Sequence, residues 1–180
     1  MLFRSFGVIL GTGVGGGVVI DGKPLTGAQA IAGEWGHNPL PAPRDDERPG
    51  PSCYCGRTGC IETWLSGPRV REQFTRRTGR TMQATEIAEA ALGGDAEAKE
   101  QIEIYCDRLA RALGHVINIV DPHAIVVGGG LSRIPQLYSR VPELWKGEVF
   151  SEARFIATKL LPPKHGDSSG VRGAAWLWPE

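Results

Sequence analysis

Apolar and small side chains run almost unbroken from residue 6 to residue 12, Phe6-Gly-Val-Ile-Leu-Gly-Thr12, which predicts a buried strand. Gly13-Val14-Gly15-Gly16-Gly17 reads as a turn, and Val18-Val19-Ile20 as a second short strand closed by Asp21-Gly22, a hairpin-turn dipeptide. Between residues 33 and 67 the periodicity disappears. Pro39, Pro41, Pro43, Pro49 and Pro51 forbid helix there, and Arg44-Asp-Asp-Glu-Arg48 reads as a solvated charge run. That segment has too few apolar residues to order itself.

Helical spacing begins at Gly67. Pro68 suits a first turn, Val70 and Phe74 lie four apart, and Gly79 ends the helix. A short helix over residues 86–92 stops at Gly93-Gly94. Asp95 then caps a long one, whose buried face is Ile102, Tyr105, Cys106, Leu109, Leu113, Val116, Ile117 and Val120. Asp121-Pro122 ends it. Ala124-Ile-Val-Val127 is a buried strand running into Gly128-Gly-Gly130, followed by a helix over residues 135–145. A weaker strand is predicted over residues 155–158 and a last helix over residues 170–178. Strands alternating with helices make the class α/β.

The composition is that of an ordinary globular domain, with 180 residues, 41% hydrophobic and 22% charged. Lys+Arg and Asp+Glu are both 20, so a protein built mainly to hold nucleic acid or an anionic membrane surface is not expected. No apolar run is long enough to span a bilayer and the first residues do not read as a signal peptide, so the cytoplasm is the expected compartment. The excess is in glycine, 25 residues, which points to tight turns and close backbone approaches.

Of the four cysteines, Cys53, Cys55 and Cys60 lie within eight residues and Cys106 is remote. In a cytosolic chain such a cluster reads first as metal ligation. With His37 upstream, the set His37, Cys53, Cys55 and Cys60 suits a structural tetrahedral Zn²⁺, and metal binding would supply the folding free energy that the proline-rich segment lacks. The alternative is a set of buried, idle thiols. Gly11-Thr12-Gly13 can lay backbone N–H groups and a hydroxyl against phosphate oxygens, or be a plain sharp hairpin; it is neither a Walker A loop nor a dinucleotide fingerprint. Gly128-Gly129-Gly130, at the carboxyl end of a strand, is a place where ligand can touch backbone, or only a tight turn. Glu34 and Glu62 flank the metal set and could be fixed acceptors for ligand hydroxyls, although spacing alone favours solvated loop carboxylates. Cys106 reads as core. His115 on the long helix, His123 at a strand start and His165 in a polar turn weigh little in the sequence.

Together these residues resemble the ROK family of bacterial sugar kinases and sugar-responsive repressors. The resemblance rests on Gly11-Thr-Gly-Val-Gly-Gly-Gly17, Gly33-Glu-Trp-Gly-His37, Cys53-Tyr-Cys-Gly-Arg-Thr-Gly-Cys60-Ile-Glu62, and Asp121-Pro122 followed by Ile125-Val-Val-Gly-Gly-Gly-Leu131. Glu34-Trp-Gly-His-Asn-Pro-Leu-Pro41 and the stretch 164–178 look like the fructokinases of mannose/fructose kinase type, with N-acetylglucosamine kinases the neighbouring subgroup.

The resemblance implies the actin-like, hexokinase-type (ribonuclease H-like) ATPase fold, with a zinc-binding insert at about residues 33–66. It implies that Glu34, His37 and Glu62 contact sugar hydroxyls. His37, Cys53, Cys55 and Cys60 would hold structural zinc. Gly11, Thr12 and Gly13 would face ATP phosphates, and Gly129 and Gly130 the nucleoside. ATP with Mg²⁺ would phosphorylate a hexose, fructose first, with no or negligible turnover expected from this chain alone because two family elements are missing here. These are an Asp-x-Gly-x-Thr phosphate loop and an Asn-Asp pair whose Asp is the general base. Residues 1–180 therefore resemble the C-terminal lobe, with the N-terminal lobe absent and the chain alone inactive or nearly so. The rival expectation is the non-catalytic sugar-sensing lobe of a ROK repressor. A homodimer built through this lobe is also implied.

Overall fold

The computed structural model describes residues 3–151 and 156–166. Strands β1 (Arg4–Leu10) and β2 (Val14–Ile20) form an antiparallel hairpin that β3 (Lys23–Pro24) extends. Strand β4 (Ala124–Gly128) pairs parallel to β1, and β5 (Lys159–Leu161) parallel to β4, giving the order β3-β2-β1-β4-β5. In β1 the side chains alternate as strand geometry requires, with Phe6, Val8 and Leu10 buried. Among the described residues five α-helices follow the hairpin in sequence: α1 (Glu62–Leu65), α2 (Gly67–Thr78), α3 (Ala84–Leu92), α4 (Ala96–Val120) and α5 (Gln136–Leu144). One buried cluster joins Phe6, Val8 and Leu10 of the sheet to Leu109 and Leu113 of α4 and Leu137 and Val141 of α5.

Local chemistry sets the ends of these elements. Asp21 and Gly22 both adopt positive φ, as the two-residue turn between β2 and β3 demands. Asp95 caps α4, its carboxylate accepting from the Ala98 N–H at 3.0 Å. Asp121 ends that helix in the left-handed region, and Pro122 cannot continue it.

Several boundaries differ from the sequence expectation: β1 runs over residues 4–10 instead of 6–12, and α3 begins at Ala84 instead of residue 86. The β1–β2 turn is Gly11-Thr12-Gly13, and Gly15, Gly16 and Gly17 lie inside β2. Gly16 leaves room for the following loop: a Cβ there would come within 2.9 Å of the Trp35 ring. The strand expected over residues 155–158 forms instead at Lys159–Leu161. The last expected helix, residues 170–178, lies outside the described residues. Among the described residues no helix is long and apolar enough to cross a membrane.

Candidate functional site

The loop after β3 returns to the hairpin and locks onto it. Trp35 is buried, and its indole N–H donates to the Gly15 carbonyl at 2.8 Å. Gly36 rests so close to β2 that a Cβ there would stand 2.0 Å from the Val14 carbonyl oxygen. This seating delivers His37 to the cysteine cluster. The thiol-bearing segment folds on itself through Cys53 N–H to the Arg57 carbonyl (2.8 Å) and Gly59 N–H to the Pro51 carbonyl (2.9 Å). It joins the first loop through Ile61 N–H to the Asn38 carbonyl at 2.8 Å.

The ligand atoms of His37, Cys53, Cys55 and Cys60 all lie within 4.8 Å of one another. His37 Nδ1 is 3.4 Å from Cys53 Sγ, and Cys55 Sγ is 3.6 Å from Cys60 Sγ. A tetrahedron with ordinary Zn–S and Zn–N bonds has edges of about 3.8 Å between sulfurs and about 3.6 Å between sulfur and nitrogen. The donor set and these separations therefore fit one zinc ion. The thiols are unequal. The Arg57 backbone N–H brings Cys55 down to about 7, whereas burial pushes Cys60 up to about 12. The other ring nitrogen, His37 Nε2, is 2.9 Å from the Tyr54 hydroxyl, whose ring meets the imidazole edge-on. The negative charge of Glu62 is the main influence pushing the Tyr54 hydroxyl up, with Glu34 a smaller one, so both carboxylates act at this point.

Glu62 opens α1 two residues after Cys60, and its Oε2 accepts from the Val14 N–H at 2.9 Å. Glu34 is exposed, as spacing alone suggests, and stands at the mouth of a largely apolar groove of about 340 Å³ that also includes His115.

The glycine turns meet on the other side of the hairpin. A cavity of about 310 Å³ is lined by Gly11, Thr12 and Gly130, by Gly67 at the start of α2, and by Arg71, Thr85 and Arg133. Gly13 and Gly129, expected beside them, do not line it. Gly13 lies under the Glu62 carboxylate, and a Cβ on Gly129 would meet the Leu10 carbonyl oxygen at 2.4 Å. Arg71 and Arg133 were not expected from sequence. Their guanidinium groups have no ion-pair partner among the described residues, whereas the Gly11 and Gly67 N–H groups already donate to the Gly13 and Gly11 carbonyls.

The proline-rich insert has a second anchor that its charge run concealed. Glu47 is buried, and its Oε1 accepts from Arg108 Nε and a terminal nitrogen of Arg111, each at 2.7 Å. Burial alone would raise its pKa, but the Arg111 and Arg108 hydrogen bonds outweigh this and hold it at about 2. The Arg108 guanidinium also lies 4.3 Å over the Trp64 ring. Of the remaining polar candidates, Cys106 is core, and His123 does have a partner, accepting from the Arg4 N–H at 3.1 Å and stacking on Phe3.

Residues 3–180 match the profile of the ROK family. The chain is 38% identical over 183 aligned residues to a protein of Pectobacterium carotovorum subsp. carotovorum named N-acetyl-D-glucosamine kinase, covering 97% of this chain and 60% of that one. A ROK family glucokinase from Streptomyces griseus, solved with glucose and AMPPNP, superposes with a TM-score of 0.84 at 25% identity over 98% of this chain and 60% of the glucokinase. A ROK family transcriptional regulator, described as a homologue of an Escherichia coli protein, superposes with a TM-score of 0.73 at 28% identity over 88% of this chain and 41% of the regulator. The chain thus spans about 60% of the length of the curated relatives it matches.

Proposed function

The chain belongs to the ROK family and has its actin-like, hexokinase-type α/β fold, and from that premise we propose that it is the zinc-bearing C-terminal lobe of an ATP-dependent hexose kinase. The observation that carries the proposal is the convergence of three groups of residues on one hairpin turn. Gly11 and Thr12 line the cavity, the Glu62 carboxylate accepts from the Val14 N–H, and Cys60 of the cysteine–histidine cluster lies two residues before Glu62.

In this scheme His37, Cys53, Cys55 and Cys60 hold zinc, which when bound fixes the loop and keeps the thiols ionised. Glu34, Glu62 and the Nε2 edge of His37 accept from and donate to sugar hydroxyls. The backbone at Gly11, Thr12 and Gly130 receives the nucleotide, with Arg71 and Arg133 neutralising phosphate charge. Gly13 and Gly129 shape this backbone without facing the ligand. Magnesium on the phosphates supplies further charge neutralisation. The primary hydroxyl of the sugar attacks the γ-phosphorus, the bond to the bridging oxygen breaks, and ADP leaves. The hydroxyl proton goes to a carboxylate base outside these residues, on the N-terminal lobe. The cytoplasm, where ATP is available, is the proposed compartment, and a homodimer the proposed assembly.

The relative described above is named for N-acetyl-D-glucosamine, which makes that sugar the first to test. Fructose is favoured only by the Glu34–Pro41 motif and the stretch 164–178, and none of the three proteins compared above is named for it. The test is a coupled ADP-release assay with N-acetyl-D-glucosamine, fructose, glucose and mannose, on this chain and on the chain joined to an N-terminal ROK lobe. Turnover is expected only from the joined protein. Turnover by the 180 residues alone at ordinary kinase rates, about 1–100 per second, would overturn the single-lobe assignment. The likeness to a ROK transcriptional regulator supports a second scheme, a sugar-sensing lobe without catalysis. Sugar binding with no AMPPNP binding, even in the joined protein, would favour it.

A further inference from the structure

We propose that Glu62 is a positioning residue shared by the sugar and nucleotide sites, and that residue 13 is glycine to leave room for its carboxylate; the ligand identities rest on the hexose-kinase assignment above. Glu62 is held from three directions. Its backbone N–H donates to the Gly36 carbonyl at 2.9 Å, next to His37. Its Oε2 accepts the Val14 N–H at 2.9 Å. A Cβ on Gly13 would stand 2.6 Å from that same oxygen, closer than real contacts allow. The segment that carries Glu62 returns to the turn once more, where the Gly67 N–H donates to the Gly11 carbonyl at 2.8 Å. Residues 60–67 therefore brace the Gly11–Val14 turn at both of its ends.

An ionised carboxylate has about four lone-pair directions, so spending Oε2 on Val14 leaves Oε1 for a sugar hydroxyl. A sugar bound there fixes the carboxylate, the carboxylate fixes the Val14 N–H, and the turn presents Gly11 and Thr12 to the nucleotide in one geometry. Linkage requires the converse: nucleotide that orders the turn tightens sugar by the same factor. Gly13, which the motif assigns to phosphate, thus governs the sugar side.

The decisive comparison is Gly13→Ala against Gly15→Ala. The new methyl at 13 meets only the end of a flexible side chain, so Glu62 turns away and the backbone stays. At 15 the methyl enters open space on the same strand. Binding of N-acetyl-D-glucosamine, fructose and AMPPNP is measured by calorimetry, singly and in pairs. In the unaltered chain each ligand is expected to tighten the other severalfold. G13A is expected to lower sugar affinity about tenfold, as loss of a charge-assisted hydrogen bond would, and to remove the mutual tightening, with G15A unchanged. Sugar affinity and coupling equal in G13A and the unaltered chain would overturn the proposal. If neither the unaltered chain nor the chain joined to an N-terminal ROK lobe binds sugar or AMPPNP, the hexose-kinase assignment of this lobe falls, and hydrogen exchange at the Val14 amide decides the positioning role. Slow exchange in the unaltered chain and G15A, with fast exchange in G13A and E62A, supports it; slow exchange in all four overturns it.

Discussion

Gly36 and Gly13 occupy superficially similar places, yet their neighbours differ in what can yield. At Gly36 an added methyl would meet the backbone carbonyl of Val14 at 2.0 Å, and no rotamer relieves that clash. Gly36→Ala must unseat Trp35 from Gly15, and we expect a loss of at least 2 kcal/mol, on the order of a severe overpacking substitution, in urea unfolding. At the cavity lined by Gly11 and Gly130, Arg71→Ala and Arg133→Ala should each weaken AMPPNP binding about five- to tenfold by calorimetry without shifting Tm, because neither cation has an ion-pair partner among the described residues to leave behind. An unchanged affinity would return the cavity to a backbone-only mode of phosphate binding. The glycine motifs found the turn but not these arginines. Each is one polar residue on its own element, and only the tertiary arrangement of α2 and the Gly130–Arg133 turn puts them in one cavity.

Elements with a strong local signal are the ones the sequence makes legible. The helix α4 could be read from its buried stripe, its Asp95 cap and its terminal Asp-Pro. The hairpin turn at Asp21-Gly22 could be read from the two positive φ angles that it needs. The insert could be read only in part. Its cysteine and histidine spacing is visible, whereas Glu47 sits in a charge run that looks solvated, and its partners Arg108 and Arg111 lie more than 60 residues away. Two anchors imply two separable failures. Chelation of zinc should loosen residues 33–66 in hydrogen exchange while α4 stays protected, and native mass spectrometry should find one zinc per chain before treatment. Glu47→Gln leaves the buried Arg108 without its counter-charge and Arg111 with Asp107 alone, and should cost about 3 kcal/mol in urea unfolding. The same residue sets an acid limb. Its pKa falls from the ordinary 4.5 in the unfolded chain to about 2 in the fold, so its contribution is complete above about pH 4.5 and disappears as the pH falls towards 2. E47Q should flatten that part of a Tm-against-pH curve.

At the scale of the whole molecule, the sheet order β3-β2-β1-β4-β5 places both glycine turns, Gly11–Gly13 and Gly128–Gly130, at the same end of two parallel neighbours. The second wall of a kinase cleft would have to face that end. A separately produced N-terminal ROK lobe, mixed with this chain, should therefore restore some ADP release, and the restored rate should fall when G13A replaces the unaltered chain. No gain over either part alone would mean that covalent linkage of the lobes is required.

The pairing of β1 with β4 also has a consequence for the chain as it is made. At about 5–20 residues per second, the roughly 120 residues between the two strands take about 6–24 s to synthesise. Throughout that interval the β1–β2 hairpin presents the unpaired edge of an apolar strand, Gly7-Val8-Ile9-Leu10, to other nascent chains. Slower translation or higher expression temperature lengthens or worsens this exposure, so soluble yield should depend on the speed of synthesis more than on the stability of the finished fold.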